Sequence, residues 1–409
     1  TQIIHSTEVN DLGFSGQGQT VCVIDTGIDY MHESLGDCTQ EEFLSGTCSK
    51  VIGGYDFADD DPDPLDEIGH GTHVAGIVAA DGQITGVAPD ANLAALKVCN
   101  ASGFCDADDQ LSAFEWCLGN SKDYNINVVT MSISDEPEDE TLERDFCPNH
   151  LLSEITQSLV DEGIIVIKSS GNDGRWDEVA SPACIEEMTT VAATRTKGKV
   201  SEISRSSNRW HHLDLLAPGV GIISTELGGG ESLPLTGTSY AAPHVAGAAA
   251  IIYQLEEQLR GIKPNPEEVE TILKETGNLI EDPDSEIKRS YPLIDLERAV
   301  NSIYMDTLNI TISNSGSGDL LVDSIGSDAA WLDINPTKLV GSNSISEGQS
   351  EIVGVTADVR KLRPSSYFTN ILIDSNDPDE AQLEVPILLN FKGKVRLSDR
   401  LKTEIAKLK

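Results

Sequence analysis

The stretch Gly237-Thr238-Ser239-Tyr240-Ala241-Ala242-Pro243-His244-Val245-Ala246-Gly247 places a serine among small residues, directly before an alanine-rich segment. This composition predicts a helix that begins just after Ser239. A serine at a helix N-terminus has an exposed hydroxyl with backbone N–H donors beside it. An acyl-transfer nucleophile needs this arrangement, since the oxyanion formed by its attack must meet preplaced donors. Such a serine is also an ordinary N-cap, so this stretch alone leaves both interpretations open.

Two further segments supply the residue types that a serine nucleophile requires. Val21-Cys22-Val23-Ile24 is a short apolar run that predicts a strand, and it ends at Asp25-Thr26-Gly27. In Gly69-His70-Gly71-Thr72-His73-Val74-Ala75-Gly76, a histidine flanked by glycines leads into a small-residue helical segment. Asp25, His70 and Ser239 therefore form a candidate set of orienting carboxylate, base and nucleophile.

These three motifs, in this order, resemble those of the subtilisin-like serine proteases. The resemblance implies that Ser239 attacks the scissile carbonyl, that His70 accepts and returns the proton, and that Asp25 holds the imidazole in the useful tautomer. It also implies that Asn172, which follows an apolar strand and Gly171, donates its side-chain N–H to the oxyanion. His73 and His244 lie deeper in their helical segments and are expected to be structural.

The same resemblance implies that two strand ends flank the substrate side chain before the scissile bond. They are Ser132-Ile133-Ser134 and Ser169-Ser170-Gly171. Ser134 stands where the family commonly has glycine, and its Cβ and hydroxyl are expected to narrow the pocket. Tyr240 stands where methionine is usual. The sequence therefore determines the reaction better than the substrate.

The densest acidic run, residues 58–67, directly precedes His70. Several carboxylates in one loop can wrap a hard cation, whereas unpaired carboxylates repel one another. One interpretation is a structural Ca²⁺ that stiffens the approach to His70, and the alternative is an exposed acidic loop without an ion. No organic cofactor is expected. The candidate ligands are Asp59, Asp60, Asp61, Asp63 and Asp66.

Chain length and residue pattern predict two folded parts. At 409 residues the chain exceeds the usual size of a single core. Over residues 1–304, β-rich apolar runs alternate with helical ones, which predicts an α/β catalytic domain with a parallel sheet flanked by helices. Residues 305–391 read as short strands between turns and look like a smaller all-β, immunoglobulin-like sandwich. Residues 392–409 contain seven Lys or Arg, with apolar residues at helical spacing, and predict a basic amphipathic tail or a linker.

All eight cysteines precede residue 185, a distribution that favours a secreted enzyme. Cys147 is expected to pair with Cys184 or Cys117, since sequence does not fix connectivity, and Cys22 is expected to be a buried thiol. A mature extracellular form, released from a secretion signal and an inhibitory pro-segment, is the expectation. Two pairs bracket short loops and are predicted disulfides, Cys38–Cys48 and Cys99–Cys105.

A net charge of −40 argues against nucleic acid as a partner, and no apolar run is long enough to span a membrane. The expected protein is a monomeric serine endopeptidase that acts on protein or peptide substrates. A binding scaffold that merely keeps the protease fold, and an esterase or transacylase using the same residues, are the alternatives. A scaffold does not require Asp25, His70, Asn172 and Ser239 together, so their presence favours an enzyme.

Overall fold

A computed structural model of the chain describes residues 2–133, 142–197, 200–261, 263–282, 288–341, 344–359, 362, 365–379, 381–391, 395–397 and 407–408. The chain divides into two units. The first comprises residues 1–257 and 263–300, and the second comprises residues 258–262 and 301–409. No helix among the described residues is both long and apolar enough to cross a bilayer.

Strands and helices alternate along the first unit. Its strands are β1 (Thr20–Asp25), β2 (Val51–Asp56), β3 (Asn92–Lys97), β4 (Ile126–Met131), β5 (Leu142–Glu143), β6 (Ile165–Ser169), β7 (Val179–Ala180), β8 (Met188–Lys197), β9 (Val200–Ile203), β10 (Leu215–Pro218), β11 (Val220–Ile222), β12 (Leu235–Thr236), β13 (Asn278–Glu281) and β14 (Ser290–Leu293). The helices that begin in it are α1 (Ser6–Asn10), α2 (Gln40–Leu44), α3 (His70–Ala79), α4 (Ala107–Gly119), α5 (Ser121–Tyr124), α6 (Ser153–Asp161), α7 (Ala242–Arg260), α8 (Pro266–Thr276) and α9 (Leu296–Tyr304), with 3₁₀ turns at Gln2–Ile4 and Thr238–Tyr240.

The main sheet of this unit has the order β13-β14-β10-β8-β6-β4-β1-β3-β2, with β9 paired to β8. From β14 to β2 neighbouring strands run parallel, whereas β13 and β9 are antiparallel additions. This confirms the predicted α/β class. Since β1, β4 and β6 are adjacent and parallel, their carboxyl ends meet at one edge of the sheet, where such folds bind ligands.

The central strands are apolar along their whole length. Every residue of β1, β4 and β6 is buried, as expected of parallel strands covered by helices on both faces. Helix α3 is buried from Gly71 to Ala79. A Cβ on Gly71 would lie 2.1 Å from the carbonyl oxygen of Gly27, so only glycine lets the helix start this close to the turn after β1.

All eight cysteines form disulfides. Cys38–Cys48 and Cys99–Cys105 confirm the predicted pairs, and Cys147 bonds Cys184, one of its two predicted partners. The predicted free thiol at Cys22 is wrong, because Cys22 is bonded to Cys117. Helix α4 packs against β1 and brings the two Cα atoms to 6.5 Å, within the range that a disulfide spans. Cys22 is fully buried, as expected.

The second unit is all-β. Its strands are β15 (Met305–Asn314), β16 (Val322–Gly326), β17 (Leu332–Asn335), β18 (Ser350–Asp358), β19 (Ser365–Ser375), β20 (Gln382–Phe391), β21 (Val395–Leu397) and β22 (Lys407–Leu408). They form two four-stranded, mainly antiparallel sheets, β17-β18-β15-β22 and β16-β19-β20-β21. Alternate residues are buried along β18 and β19, as in a sheet that packs one face against a core.

The two described pieces of the predicted amphipathic tail are strands and not helix. Val395–Leu397 pairs with β20, and Lys407–Leu408 pairs with β15. The helical spacing of Leu397 and Leu408 was therefore misleading, because strand pairing fixes these residues instead. The rest of residues 392–409 lies outside the described part of the chain.

Candidate active site

Asp25 and His70 lie at the end of β1 and the start of α3, and their side chains meet. His70 Nδ1 is 2.6 Å from Asp25 Oδ1, which also accepts a bond of 2.8 Å from the Thr26 N–H. The Asp25 carboxylate is fully buried, whereas the His70 side chain is 25% exposed. When the neutral ring donates Nδ1–H to the carboxylate, its lone pair is at Nε2, the nitrogen that a general base uses.

The charge of Asp25 also sets the basicity of His70. Burial acts to lower the pKa of His70, but the charge and hydrogen bond of Asp25 outweigh it and raise that pKa above its usual value. The other two histidines of these helices behave differently. Burial lowers the pKa of His73 to about 4 and that of His244 to about 3, so both are neutral near pH 7.

A third carboxylate, Asp66, connects the turn after β1 to the start of α3. Asp66 is 3% exposed, and Gly69, the N-cap residue of α3, has no side chain with which to cap the helix. Asp66 replaces that missing cap, because its oxygens accept from backbone N–H groups of the helix start. Its donors are Thr26 Oγ1 (2.9 Å), Ile68 N (2.9 Å), Gly69 N (2.9 Å), Thr72 N (2.9 Å) and Thr72 Oγ1 (2.7 Å).

Ser239 lies in the 3₁₀ turn Thr238–Tyr240, immediately before α7. Its hydroxyl donates to the carbonyl oxygen of Ser132 at 2.9 Å, and the Ser132 hydroxyl donates to the carbonyl oxygen of Ser239 at 2.9 Å. The Ser239 hydroxyl therefore faces the end of β4 instead of His70. The two segments still adjoin, because the ring of Tyr240 lies 5.6 Å from that of His70 and 4.5 Å from that of His73.

Asn172 follows β6 and has a fixed amide orientation. Its Oδ1 accepts from the Thr238 N–H at 2.8 Å and from the Thr238 hydroxyl at 3.2 Å. The Thr238 hydroxyl in turn accepts from the Gly171 N–H at 3.2 Å. Because Oδ1 of Asn172 is bound to Thr238, the Nδ2 group of Asn172 points away from Thr238. Asn172 is exposed. An amide held in this way can offer an N–H to an anion formed beside Ser239.

The residues predicted to flank the substrate lie at the ends of β4 and β6, two neighbouring strands. Among the described residues of this set, most side chains make contacts inside the protein. Ser134 lies outside the described residues. The others contact as follows: Ser132 bonds Ser239, Ile133 packs on the core, Ser169 Oγ accepts from Lys168 at 3.2 Å, Ser170 Oγ donates to Asn208 O at 2.7 Å, and a Cβ on Gly171 would lie 2.4 Å from Asn208 Nδ2.

Comparisons with known proteins identify the family of this chain. Residues 16–293 match the subtilase family, Peptidase_S8. The chain belongs to the subtilase family. The chain is 34% identical over 277 residues to the major intracellular serine protease of Bacillus subtilis, an alignment covering 63% of this chain and 75% of that protein. It is 37% identical over 251 residues to an intracellular serine protease of Paenibacillus polymyxa, covering 59% and 68% respectively.

A solved structure is also similar to this subtilase. It is the crystal structure of a cold adapted subtilisin-like serine proteinase, with a TM-score of 0.54 and 28% identity. The match covers 68% of this chain and 89% of that one. Together with the related sequences, it shows that this subtilase is a serine endopeptidase, a hydrolase of peptide bonds.

The carboxylates of the acidic run before His70 have partners inside the protein, and the calcium site expected there stays a prediction. Among the described residues, the five candidate carboxylates do not converge on a common point. Asp59 binds the ammonium of Lys97 at 3.2 Å, and the same buried ammonium binds Asp56 at 2.6 Å and Glu67 at 3.0 Å. An internal cation therefore neutralises part of this run and reduces the repulsion between its carboxylates.

The remaining carboxylates of the run are bound by donors from several elements. Sequence reasoning missed these donors and the role of Asp66, although an acidic residue shortly before a helix that starts at glycine is a signal of N-terminal capping. The carboxylate oxygens contact as follows: Asp60 accepts from the Tyr55 hydroxyl at 2.9 Å, Asp61 from the Asp63 N–H at 2.8 Å, Asp63 from the Tyr30 hydroxyl at 2.7 Å, and Asp66 from the five donors given above.

Replacement of Asp66 by asparagine tests its role in this site. The amide keeps the shape but turns one oxygen into a donor that faces other donors, so we expect Asp66→Asn to lower the free energy of unfolding by roughly 3 kcal/mol. We also expect kcat to fall, because His70 begins the helix that Asp66 holds. Urea unfolding and peptide hydrolysis measure the two effects.

Asp60→Asn is the matched control, because Asp60 is exposed in the same run and bonds only the hydroxyl of Tyr55. Its free energy of unfolding should stay within about 0.5 kcal/mol of the parent value. If both variants had the same stability and activity, Asp66 would not position the site.

Proposed function

We propose that this subtilase is a secreted serine endopeptidase that forms an acyl-enzyme on Ser239, with His70 as general base and Asp25 as the orienting carboxylate. The observation that supports it most is the 2.6 Å contact between His70 Nδ1 and the buried Asp25, at the sheet edge that also bears Ser132 and Asn172. A buried carboxylate fixes the tautomer of the imidazole and stabilises the imidazolium formed when it accepts a proton.

In the proposed reaction, Ser239 first turns its hydroxyl from the Ser132 carbonyl toward His70. Rotation about χ1 redirects a serine hydroxyl, and catalytic hydrogen bonds are often long or poorly aligned until substrate binds. The oxygen then attacks the scissile carbonyl carbon while His70 Nε2 takes the hydroxyl proton. His70 next gives that proton to the leaving amine, which leaves an ester on Ser239. Water then attacks the carbonyl carbon of this ester while His70 takes a proton from the water. His70 gives that proton to the Ser239 oxygen as the acyl group leaves.

The oxyanion of each tetrahedral intermediate is proposed to receive two hydrogen bonds. One comes from the Ser239 backbone N–H and the other from Asn172 Nδ2. The bonds from Thr238 to Asn172 Oδ1 support this role, because they orient the amide before substrate arrives. Preplaced donors need no reorganisation when the negative charge forms, and this is the source of their catalytic effect.

The cellular setting of the proposal rests on the cysteines. Four disulfides favour an oxidising compartment, where such bonds persist. In this proposal catalysis belongs to residues 1–304, and residues 305–409, whose described strands form the β sheets of the second unit, take no part in the chemistry. Protein or peptide substrates bind along the ends of β4 and β6, and a pro-segment inhibits a monomeric enzyme before maturation.

Covalent labelling tests the nucleophile. A serine-reactive phosphonate should label the enzyme at one residue, and Ser239→Ala should abolish both labelling and casein hydrolysis. Ser132→Ala, which removes the partner hydroxyl but no proposed nucleophile, should still be labelled. Labelling that survives Ser239→Ala would refute the assignment, and turnover of simple esters without peptide cleavage would favour an esterase.

Asn172→Ala should lower kcat by about 10²–10³ while KM barely changes, a magnitude established in this enzyme family for the loss of an oxyanion donor. Asn172→Asp is the matched variant, because its carboxylate still accepts from Thr238 but offers no N–H. We expect an equal or larger loss of kcat from it. An unchanged kcat in Asn172→Ala would remove this residue from the site.

The pH dependence of kcat/KM reports the ionisation of His70. Only the neutral imidazole accepts a proton, so activity is lost as pH falls through the pKa of His70. Because Asp25 raises that pKa, the acid limb should lie above about 6.5, the usual value for histidine. In Asp25→Asn the limb should move to lower pH, and kcat should fall by roughly 10⁴. A limb at the same pH in both proteins would contradict the proposed coupling.

A further inference from the structure

Two histidines and an aspartate, none of them assigned to the active site, meet on the first unit. They are His211 and His212, in the loop between β9 and β10, and Asp145, which follows β5. One ligand atom from each lies within 4.8 Å of the other two. Among the described residues, no other group of three His, Cys, Asp or Glu side chains brings its ligand atoms this close together.

The three side chains differ in how far they are buried and packed. His212 is half-buried and packs against two aromatic rings, with ring centroids 4.1 Å from Phe146 and 5.2 Å from Trp210. His211 and Asp145 are exposed, and the two imidazole centroids are 3.9 Å apart. The His212 ring is therefore fixed by packing, while the exposed His211 ring has room to adjust around an ion.

The backbone that carries Asp145 is anchored at both sides. Before it, β5 pairs with β7. After it, Cys147 is bonded to Cys184, and the Cys147 N–H donates to the Cys184 carbonyl at 3.0 Å. The Phe146 N–H donates to Asp145 Oδ1 at 2.9 Å and orients the carboxylate. A carboxylate on an anchored segment, beside a packed imidazole, loses little conformational freedom when it binds an ion.

The chemistry of this set selects a class of metal. Imidazole suits Zn²⁺, Ni²⁺, Co²⁺ and Cu²⁺, whereas Ca²⁺ takes oxygen ligands. Bonds of 2.0–2.2 Å around a tetrahedral zinc place its ligand atoms about 3.3 Å apart. The three ligand atoms lie within 4.8 Å of one another, and the exposed His211 has room to rotate toward that shorter spacing. Three protein ligands leave coordination positions open to water.

We propose that Asp145, His211 and His212 form a binding site for a divalent transition-metal ion such as Zn²⁺. The ion joins the segment after β5 to the loop before β10 and stabilises the first unit, because it binds the folded chain and not the unfolded one. It is separate from the catalytic residues, so the proposal does not depend on how Ser239 acts.

Zn²⁺ binding to the full chain tests the proposal, with Ser239→Ala as the background to prevent self-digestion. Isothermal titration should detect a Zn²⁺ site that a large excess of Ca²⁺ does not displace. His211→Gln and Asp145→Asn, both at exposed positions, should weaken it at least tenfold, since loss of a ligand costs no less than loss of a residue that only orients one. Zn²⁺ should raise the Tm of the background protein and not that of the double variant.

His5→Asn is the matched control. His5 Nδ1 is 3.1 Å from Asp295, so it forms a histidine–carboxylate pair that lacks a second imidazole. Its replacement should leave Zn²⁺ affinity unchanged, and asparagine tolerates the left-handed backbone found at this position. The visible spectrum of bound Co²⁺ gives a second readout and should be lost in His211→Gln alone. Equal Zn²⁺ affinity in the background protein and in both ligand variants would overturn the proposal, as would the absence of binding.

Discussion

The buried carboxylate of Asp66 is the interaction on which the geometry of the active site depends. It joins the Thr26 hydroxyl, one residue after Asp25, to the backbone at the start of α3, where His70 begins the helix. The Thr26 hydroxyl also accepts from the Gly71 N–H at 2.9 Å, so the turn after β1 bonds the first turn of α3 directly as well as through Asp66. A strand end and a helix start from distant parts of the sequence are thereby held in one arrangement. The 2.6 Å contact between Asp25 and His70 follows from it.

The strand order explains why so much of the site was predictable from sequence. Asp25, Ser132 and Asn172 each follow an apolar run that reads as a buried strand, and β1, β4 and β6 are neighbours in the sheet. Carboxyl ends of parallel neighbours share an edge, so residues at those ends meet whatever their distance along the chain. Ser239 and His70 were equally visible, because small residues and glycine mark the helix starts that carry them. Local sequence therefore predicted the α/β fold and the strand and helix ends, whereas the proposed roles of Ser132 and Asn172 came from the resemblance to subtilisin-like proteases.

The predictions that failed depended on contacts between distant segments. Cys22 reads as an apolar strand residue, and nothing near it indicates that α4 brings Cys117 alongside. The acidic run likewise has a partner that its local sequence does not reveal, because Lys97 is on β3, some thirty residues further along, although the calcium site itself stays a prediction. Leu397 and Leu408 fit a helix by spacing, yet each pairs with a strand of the second unit. In each case the local pattern was real, and a tertiary partner decided the outcome.

The proposed nucleophile, Ser239, is held by residues at the ends of the strands that are proposed to flank the substrate. Ser132 at the end of β4 exchanges two hydrogen bonds with Ser239, and Asn172 after β6 accepts two from Thr238. Each neutral bond contributes only about 1 kcal/mol to stability, so their larger effect is on position. A peptide laid along β4 and β6 would be placed by the same backbone that places the Ser239 turn. Substrate, nucleophile and oxyanion donor would then all be positioned by the same rigid edge of the main sheet. Reacting atoms held in this way can meet without further rearrangement.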